Sequence, residues 1–134
     1  MRFRYFDKPI YTLAPKEIFV TGSNYAGVHG AGGAKQAKNS FGAVWGVSEG
    51  FTGQCYLIPT KDLEITSLPL PAIAKHVSSF VDWTFIRSDL VFLVTAIGTG
   101  LAGYSNKEIA PLFAQSNSSN CVFDVEWQEF LETA

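Results

Sequence analysis

The chain has 134 residues, 47% of them hydrophobic and 14% aromatic, and a formal net charge of −2 at pH 7. This length and apolar content favour one folded domain over residues 1–134 with a buried core, and they argue against a disordered tail. The small negative charge offers no broad basic surface and argues against a nucleic-acid groove. No apolar run is long enough to cross a bilayer and none resembles a signal peptide, so we expect a cytoplasmic protein without a membrane partner.

Apolar periodicity predicts strands and helices that alternate along the chain. Pro59 is expected to end the third strand, and the glycines between residues 42 and 53 are expected to form turns only. Such alternation indicates an α/β fold in which helices cover both faces of a mixed, mostly parallel central sheet. In chain order, the strands are expected over 2–6, 16–21, 54–58, 90–95 and 121–123, and the helices over 34–41, 71–86, 106–113 and 126–131.

The two cysteines, Cys55 and Cys121, are too few to build a metal site by themselves. Free cysteine is among the most buried residue types, and nothing else in the chain indicates secretion. We therefore expect two buried, reduced thiols and no bound metal.

Two glycine-rich loops follow two of the predicted strands. The first spans residues 21–34 and contains five glycines, and the second spans residues 96–104 and contains three. Glycine lacks the Cβ atom that keeps a ligand away from the backbone, and a loop that leads from a strand into a helix aims its N–H groups at a bound anion. Ligands of α/β sheets bind at the carboxyl ends of the strands, so both loops are expected at one cleft suited to two linked phosphates.

Two better-known phosphate motifs fit the first loop poorly. Residues 29–34 superficially resemble a dinucleotide fingerprint, but the glycine spacing is wrong and no acidic residue stands at the end of a next strand about twenty residues later. The lysine and hydroxyl of a nucleotide-hydrolysing phosphate loop are missing as well, since Ala34 and Lys35 follow the glycines without a serine or threonine. The sequence therefore argues against both motifs.

Taken together, the two loops resemble those of the macrodomain family, whose members bind ADP-ribose and related nucleotides. Asn24 stands where the family has an asparagine at a strand end, residues 30–34 are similar to its loop-to-helix turn, and residues 97–104 are similar to its second loop. The likeness covers about residues 18–113. With residues 58–61 included, the pattern is more similar still to a compact subgroup of phage and bacterial macrodomain-like proteins.

The resemblance implies a three-layer α/β/α, macrodomain-like fold with a cleft for ADP-ribose or a derivative, and it implies no required cofactor. Many members have an aspartate ahead of the first loop that bonds the adenine amine, and the segment before Phe19 here offers only Asp7 or Glu17, neither in a matching position. The aspartate of the de-ADP-ribosylating branch is replaced by Gly32 or Gly33. The ligand-binding residues implied by the resemblance are Gly22, Ser23, Asn24, Gly27, His29, Gly30, Ala31, Gly32, Gly33, Ile97, Gly98, Thr99, Gly100, Leu101, Ala102, Gly103 and Tyr104.

Asn24 and His29 are the candidate catalytic residues. The Asn24 side-chain amide can donate to and accept from a ribose hydroxyl, or it can merely stabilise a turn. The His29 imidazole can act as a general base near neutral pH or bond a phosphate, or it can serve only in packing. For both residues, the sequence leaves open whether the side chain acts on a ligand or only stabilises the protein.

Further candidates flank the predicted cleft. Tyr25, Tyr104 and Phe123 are aromatic side chains that can cover a base or a ribose, although a core position explains most aromatic residues equally well. Lys61 follows the third strand and can neutralise a phosphate, or it can be a solvated loop residue.

The sequence leaves three functions open. We expect a binder of ADP-ribose or a derived nucleotide that sequesters a signal in phage–host conflict, within the host cytoplasm if the chain is phage-encoded. The alternative is an ADP-ribosyl hydrolase in which Asn24 and His29 orient a water. A third possibility is a degenerate domain that only contacts other proteins, which leaves the intact glycine loops without a purpose. The oligomeric state is not indicated.

Overall fold

The structure of the chain is a computed structural model, described for residues 1–100 and 102–133, and its centre is a six-stranded β-sheet. Two short 3₁₀ turns, Ala110–Phe113 and Val125–Trp127, complete the helical segments. The strands are β1 (Arg4–Phe6), β2 (Glu17–Asn24), β3 (Gly50–Thr52), β4 (Cys55–Lys61), β5 (Val91–Val94) and β6 (Cys121–Asp124). The helices are α1 (Gly32–Ser40), α2 (Leu70–Ile86), α3 (Asn106–Ile109) and α4 (Gln128–Glu132).

The sheet is mixed and mostly parallel. Its strand order is β1-β6-β5-β2-β4-β3, and every neighbouring pair is parallel except β3 with β4. The prediction of an α/β fold with such a sheet is confirmed. Strand β2 lies between β5 and β4, so the carboxyl ends of these three strands meet at one edge, which is where both glycine loops begin.

Alternating side chains of the central strands supply a core on each face of the sheet. Ile18 and Val20 point to one face, where α2, the Ala110–Phe113 turn and α4 cover them. Phe19, between them in sequence, points to the other face and packs with Ala37 of α1. This two-residue period explains why buried parallel strands appear as continuous apolar runs, since both faces of the strand are covered.

Strand β4 differs from the prediction, because it continues through Pro59 to Lys61. Pro59 stands opposite Ser23 in the parallel ladder with β2, two residues beyond Leu57, which is the last residue of β4 that pairs with the edge strand β3. On this side of β4, the described pairing with β3 ends at Leu57 and the bridge from Lys61 to Ser67 comes only after Pro59, so the missing proline N–H removes no ladder hydrogen bond described there. Strand β2 is correspondingly longer than predicted and ends at Asn24.

The prediction that the glycines between 42 and 53 form only turns is wrong for Gly50–Thr52, which form the edge strand β3. Gly53 has a φ of +56°, and a Cβ atom there would lie 2.4 Å from the backbone of Gly42. Glycine therefore permits both the hairpin turn and a close approach of two chain segments. A three-residue strand is too short to show a period in the sequence.

The helix predicted over 106–113 is divided into α3 and a 3₁₀ turn. Pro111 lies in the second half, and a proline lacks the N–H that a continuing α-helix requires.

Cys55 and Cys121 are free and buried, which confirms the prediction for the two thiols. Burial raises the pKa of Cys55 to about 11 and that of Cys121 to about 12. Both thiols therefore stay protonated and unreactive at neutral pH.

Across residues 1–100 and 102–133, no helix combines the length and the apolar character needed to cross a membrane.

Candidate functional site

A cavity of about 480 Å³ lies between the two glycine loops at the carboxyl ends of β2, β4 and β5. Both predicted loops contribute to it, so the expectation that they share one cleft agrees with the structure. The described residues that line the cavity are Phe19, Thr21, Gly22, Ser23, Asn24, Val28, Gly30, Ala31, Gly32, Gly33, Ala34, Gln36, Thr60, Lys61, Ile65, Thr95, Ala96, Ile97, Gly98, Gly100 and Ala102.

Helix α1 begins at the cavity wall and offers backbone donors to it. No side chain caps the helix at Ala31, and the first turn carries no acidic residue. The N–H groups of Gly32, Gly33 and Ala34 have no hydrogen-bond acceptor among the residues that the structure describes, whereas that of Lys35 bonds the carbonyl of Ala31. Free N–H groups and the positive end of the helix dipole favour an anion at this place.

Gly33 also permits the close packing of α1 on the sheet. A Cβ atom at this position would lie 1.9 Å from Thr21 Oγ1, far inside van der Waals contact. Thr21 is a buried residue of β2. Gly33 is thus needed for helix docking whether or not it touches a ligand.

The second loop presents a similar row of donors. Within the described part of this loop, the N–H groups of Gly98, Thr99 and Gly100 bond no protein acceptor. Gly98 has a φ of +77°, which favours glycine, and its carbonyl accepts the N–H of Tyr104 at 2.9 Å. The hydroxyl of Thr99 donates to the carbonyl of Ala96 at 2.7 Å. Leu101, a predicted ligand residue, lies outside the described residues.

Asn24 lies at the cavity wall, where its side chain also fixes the first loop. Its Nδ2 donates to the Val28 carbonyl at 2.8 Å, and its Oδ1 accepts the Val28 N–H at 3.0 Å. The turn-stabilising role is therefore present in the structure. An amide NH₂ has a second donor and the oxygen a second lone pair, so these bonds leave Asn24 able to contact a ligand as well.

His29 lies behind the first loop and does not line the cavity. Its side chain is buried, and Nε2 lies 2.8 Å from the carbonyl of Val47, which can only accept. The ring packs against Trp45 with a centroid distance of 5.8 Å. These contacts assign His29 a positioning role, and its catalytic role stays a prediction with no contact to the cavity in its support.

Residues 44–49, which we name the strap, hold the first loop from behind. The N–H of Gly46 donates to the carbonyl of Gly27 at 2.9 Å, and the hydroxyl of Ser23 donates to the carbonyl of Ser48. A Cβ atom on Gly27 would lie 2.4 Å from the backbone of Gly46. Gly27 is thus packed against the strap and is not part of the cavity wall.

The aromatic candidates do not reach the cavity. Phe123 is fully buried in the core. The Tyr104 hydroxyl donates to the Leu68 carbonyl. Tyr25 Oη lies 2.7 Å from His76 Nε2, on the outer side of the first loop. Neither Thr99 nor Gly103 is a lining residue either.

Two more lining residues are Lys61, the last residue of β4, and Ile65, in the loop that follows β4. Lys61 is the one titratable side chain among the described lining residues, and its role as a phosphate partner stays a prediction. Ile65 was not predicted as a site residue, and a lone isoleucine in a polar segment gives no signal of its position.

A second cavity of about 520 Å³ continues the cleft past the ends of β1 and β6. The two cavities share Phe19, Gln36 and Thr95, so they are neighbouring parts of one groove. Asp7 lines the second cavity, whereas Glu17, the other candidate counterpart of the family aspartate, lines neither. The sequence could not choose between them, because the choice depends on the pairing of β1 with β6.

Within the described chain, no group of three or more His, Cys, Asp or Glu side chains is arranged to hold a metal ion.

No protein-family model matches the chain, and no curated protein matches its sequence significantly. The structure is similar to that of Thermosipho africanus DarTG in complex with ADP-ribose, with a TM-score of 0.59 and 18% sequence identity. The likeness covers 88% of this chain and 43% of that one, so this chain spans less than half of its length. It shows the fold, which is α/β and macrodomain-like.

Proposed function

We propose that the chain binds ADP-ribose or a nucleotide derived from it in the cleft between the two glycine loops. The observation that carries this proposal is a pair of backbone N–H rows without an acceptor among the described residues, one at the start of α1 and one in the second loop. Both rows belong to segments that line a single cavity, the second through Gly98 and Gly100. Two such rows match two linked phosphates, and Lys61 adds a cation at the same wall.

The length of the groove supports a ligand larger than a diphosphate. The second cavity adds about 520 Å³ beside the first and is lined by Asp7, whose carboxylate can accept a hydrogen bond from an amine of a base. Phe6 and Tyr11 line the same cavity and provide apolar surface for a base. The complex of the structural neighbour with ADP-ribose agrees with this choice of ligand.

ADP-ribose is expected to stabilise the folded protein by mass action. At a concentration about a hundred times Kd the gain is about 2.7 kcal/mol, which corresponds to a rise in Tm of about 10 °C for a chain of this size. Adenosine lacks the diphosphate and should raise Tm little. Thermal denaturation with ADP-ribose, NAD, cyclic ADP-ribose isomers and adenosine measures the difference, and negligible shifts with all of them would refute the proposal.

A hydrolase is the second candidate, and the position of Lys61 is the observation in its favour. An amine at the cavity wall can transfer a proton to the group that leaves when the ADP-ribosyl bond is broken by water, and general acid–base help is worth about a hundred- to ten-thousand-fold in rate. The wall offers no other titratable side chain among its described residues, and His29 is out of reach behind the loop.

We expect ADP-ribosylated protein and cyclic ADP-ribose isomers to be recovered intact after incubation with the chain and denaturation. The reason is that a single amine without a partnered acid or base makes a weak catalytic set. Mass spectrometry of the recovered substrate is the measurement. Multiple turnovers that disappear in Lys61→Met or Asn24→Ala, with binding largely retained, would instead establish a hydrolase.

The ligand preference bears on the biological role. Tighter binding of a cyclic or otherwise modified isomer than of ADP-ribose would support sequestration of a signal in the cytoplasm during phage–host conflict. Equal affinities would favour recognition of ADP-ribose itself.

A further inference from the structure

Ile65 holds an unfavourable backbone conformation at the mouth of the first cavity. Its φ is +62°, and it is the one non-glycine residue with positive φ in residues 1–100 and 102–133. For a β-branched residue this conformation is a genuine outlier, because the Cβ atom approaches the following carbonyl oxygen. Strain of this kind persists only where surrounding contacts impose it, and it concentrates at functional sites.

Asp62 imposes the conformation of the loop that carries Ile65. Its Oδ1 accepts the N–H groups of Glu64 at 2.9 Å and Thr66 at 3.0 Å. Its own backbone donates to the Thr66 carbonyl at 2.8 Å and accepts the Ile65 N–H at 3.1 Å. Four hydrogen bonds to one residue thus close the turn and direct Ile65.

The same loop is attached to the second glycine loop. The Ser67 hydroxyl donates to the Ala102 carbonyl at 2.6 Å, and the Leu68 carbonyl accepts the hydroxyl of Tyr104. Ile65 is therefore held by the hydrogen bonds of Asp62 before it and of Ser67 and Leu68 after it. The latter two connect it to the second glycine loop, whose backbone supplies the proposed phosphate donors.

Ile65 differs in character from most of the wall around it. The donors of the two loops, Thr60 and Lys61 suit phosphates and hydroxyls, whereas Ile65 and Val28 are the two large apolar side chains at the described wall that remain substantially exposed, at 43% and 37%. An exposed apolar side chain at a cavity mouth gains free energy when a ligand covers it. The carbon face of a sugar next to a diphosphate has the matching chemistry.

We propose that Ile65 is a specificity-determining residue that packs on the carbon face of the sugar attached to the second phosphate, so that the cleft prefers a nucleoside diphosphate sugar to a nucleoside diphosphate. The inference rests on the proposed function. The strained turn at Ile65 sets the distance between this apolar side chain and the phosphate donors, and the hydrogen bonds of Asp62 hold the strained conformation.

The test compares the affinities for ADP-ribose and ADP, measured by calorimetry, in the wild type and in Ile65→Gly. Glycine adopts positive φ freely, so Tm should stay level or rise. Affinity for ADP-ribose should fall by about tenfold while affinity for ADP changes little, because only ADP-ribose carries the second sugar.

Leu63→Ala is the matched control, since Leu63 is 70% exposed in the same loop and does not line the cavity. It should leave both affinities unchanged. Ile65→Asn accepts positive φ but removes the apolar contact, so it should reproduce the loss for ADP-ribose. An unchanged ratio of the two affinities in Ile65→Gly would overturn this inference and leave the binding proposal intact, whereas failure of the wild type to bind ADP-ribose would overturn both.

Discussion

Gly33→Ala is expected to lower the free energy of unfolding by about 3 kcal/mol, at the upper end of the usual cost of overpacking. The added Cβ atom would stand 1.9 Å from Thr21 Oγ1, on a buried residue of β2 that cannot move aside freely. An alanine in a helix would otherwise stabilise it by about 1 kcal/mol relative to glycine, so a net loss identifies the clash with the sheet as the larger effect. Chemical denaturation measures the change.

The second variant Gly33→Ala/Thr21→Ala separates packing from other causes. Without the threonine hydroxyl, the atom nearest to the added Cβ is Thr21 Cβ, at 3.0 Å. The loss of stability in the double variant should therefore be smaller than the sum of the losses in the two single variants. Gly100→Ala is the control for adding a methyl group to a glycine loop, because nothing lies within 4 Å of its added Cβ atom. Equal stability of Gly33→Ala and the wild type would contradict the close docking of α1 on β2.

Gly100→Glu is expected to weaken ADP-ribose binding by at least about tenfold, equivalent to about 1.4 kcal/mol, without unfolding the protein. The side chain would enter open space at the cavity wall, where its carboxylate repels the diphosphate. The backbone there needs no positive φ, so a side chain brings no strain. Calorimetric titration gives the affinity, and Tm reports the fold.

Gly100→Gln is the isosteric control for charge. It should retain most of the affinity if repulsion dominates, and it should resemble the glutamate variant if bulk dominates. Normal binding by a folded Gly100→Glu protein would show that the second loop is not the anion site.

The sequence predicted the sheet because its central strands are buried on both faces. Continuous runs such as 18–20 and 91–94 have no other simple explanation, and both lie in the described sheet. Strand β3 was missed because three residues show no period, and the end of β4 was missed because the tolerance for Pro59 depends on where a neighbouring strand stops. The existence of β3 and the end of β4 depend on how neighbouring strands pair, which the residues of a single strand do not indicate.

The glycine loops could be recognised locally, but the roles of their individual residues could not. Whether Gly27 and His29 face the cavity or the protein interior depends on the strap, which lies more than ten residues further along the chain. Ile65 was missed because a strained φ is imposed by hydrogen bonds to Asp62 and leaves no signature in residue type. Local chemistry identifies a loop as a binding element, whereas tertiary contacts decide which of its atoms do the binding.

The strap has a consequence for the entropy of binding. Its hydrogen bonds to Ser23, Gly27 and His29 use only protein groups, so the first loop is ordered when the chain folds and not when a ligand arrives. The conformational entropy of arranging the anion donors is then lost once, during folding, and each ligand meets a preorganised surface. Under the proposed function, the affinity is accordingly set in part by a segment that is not among the described residues of either cavity wall.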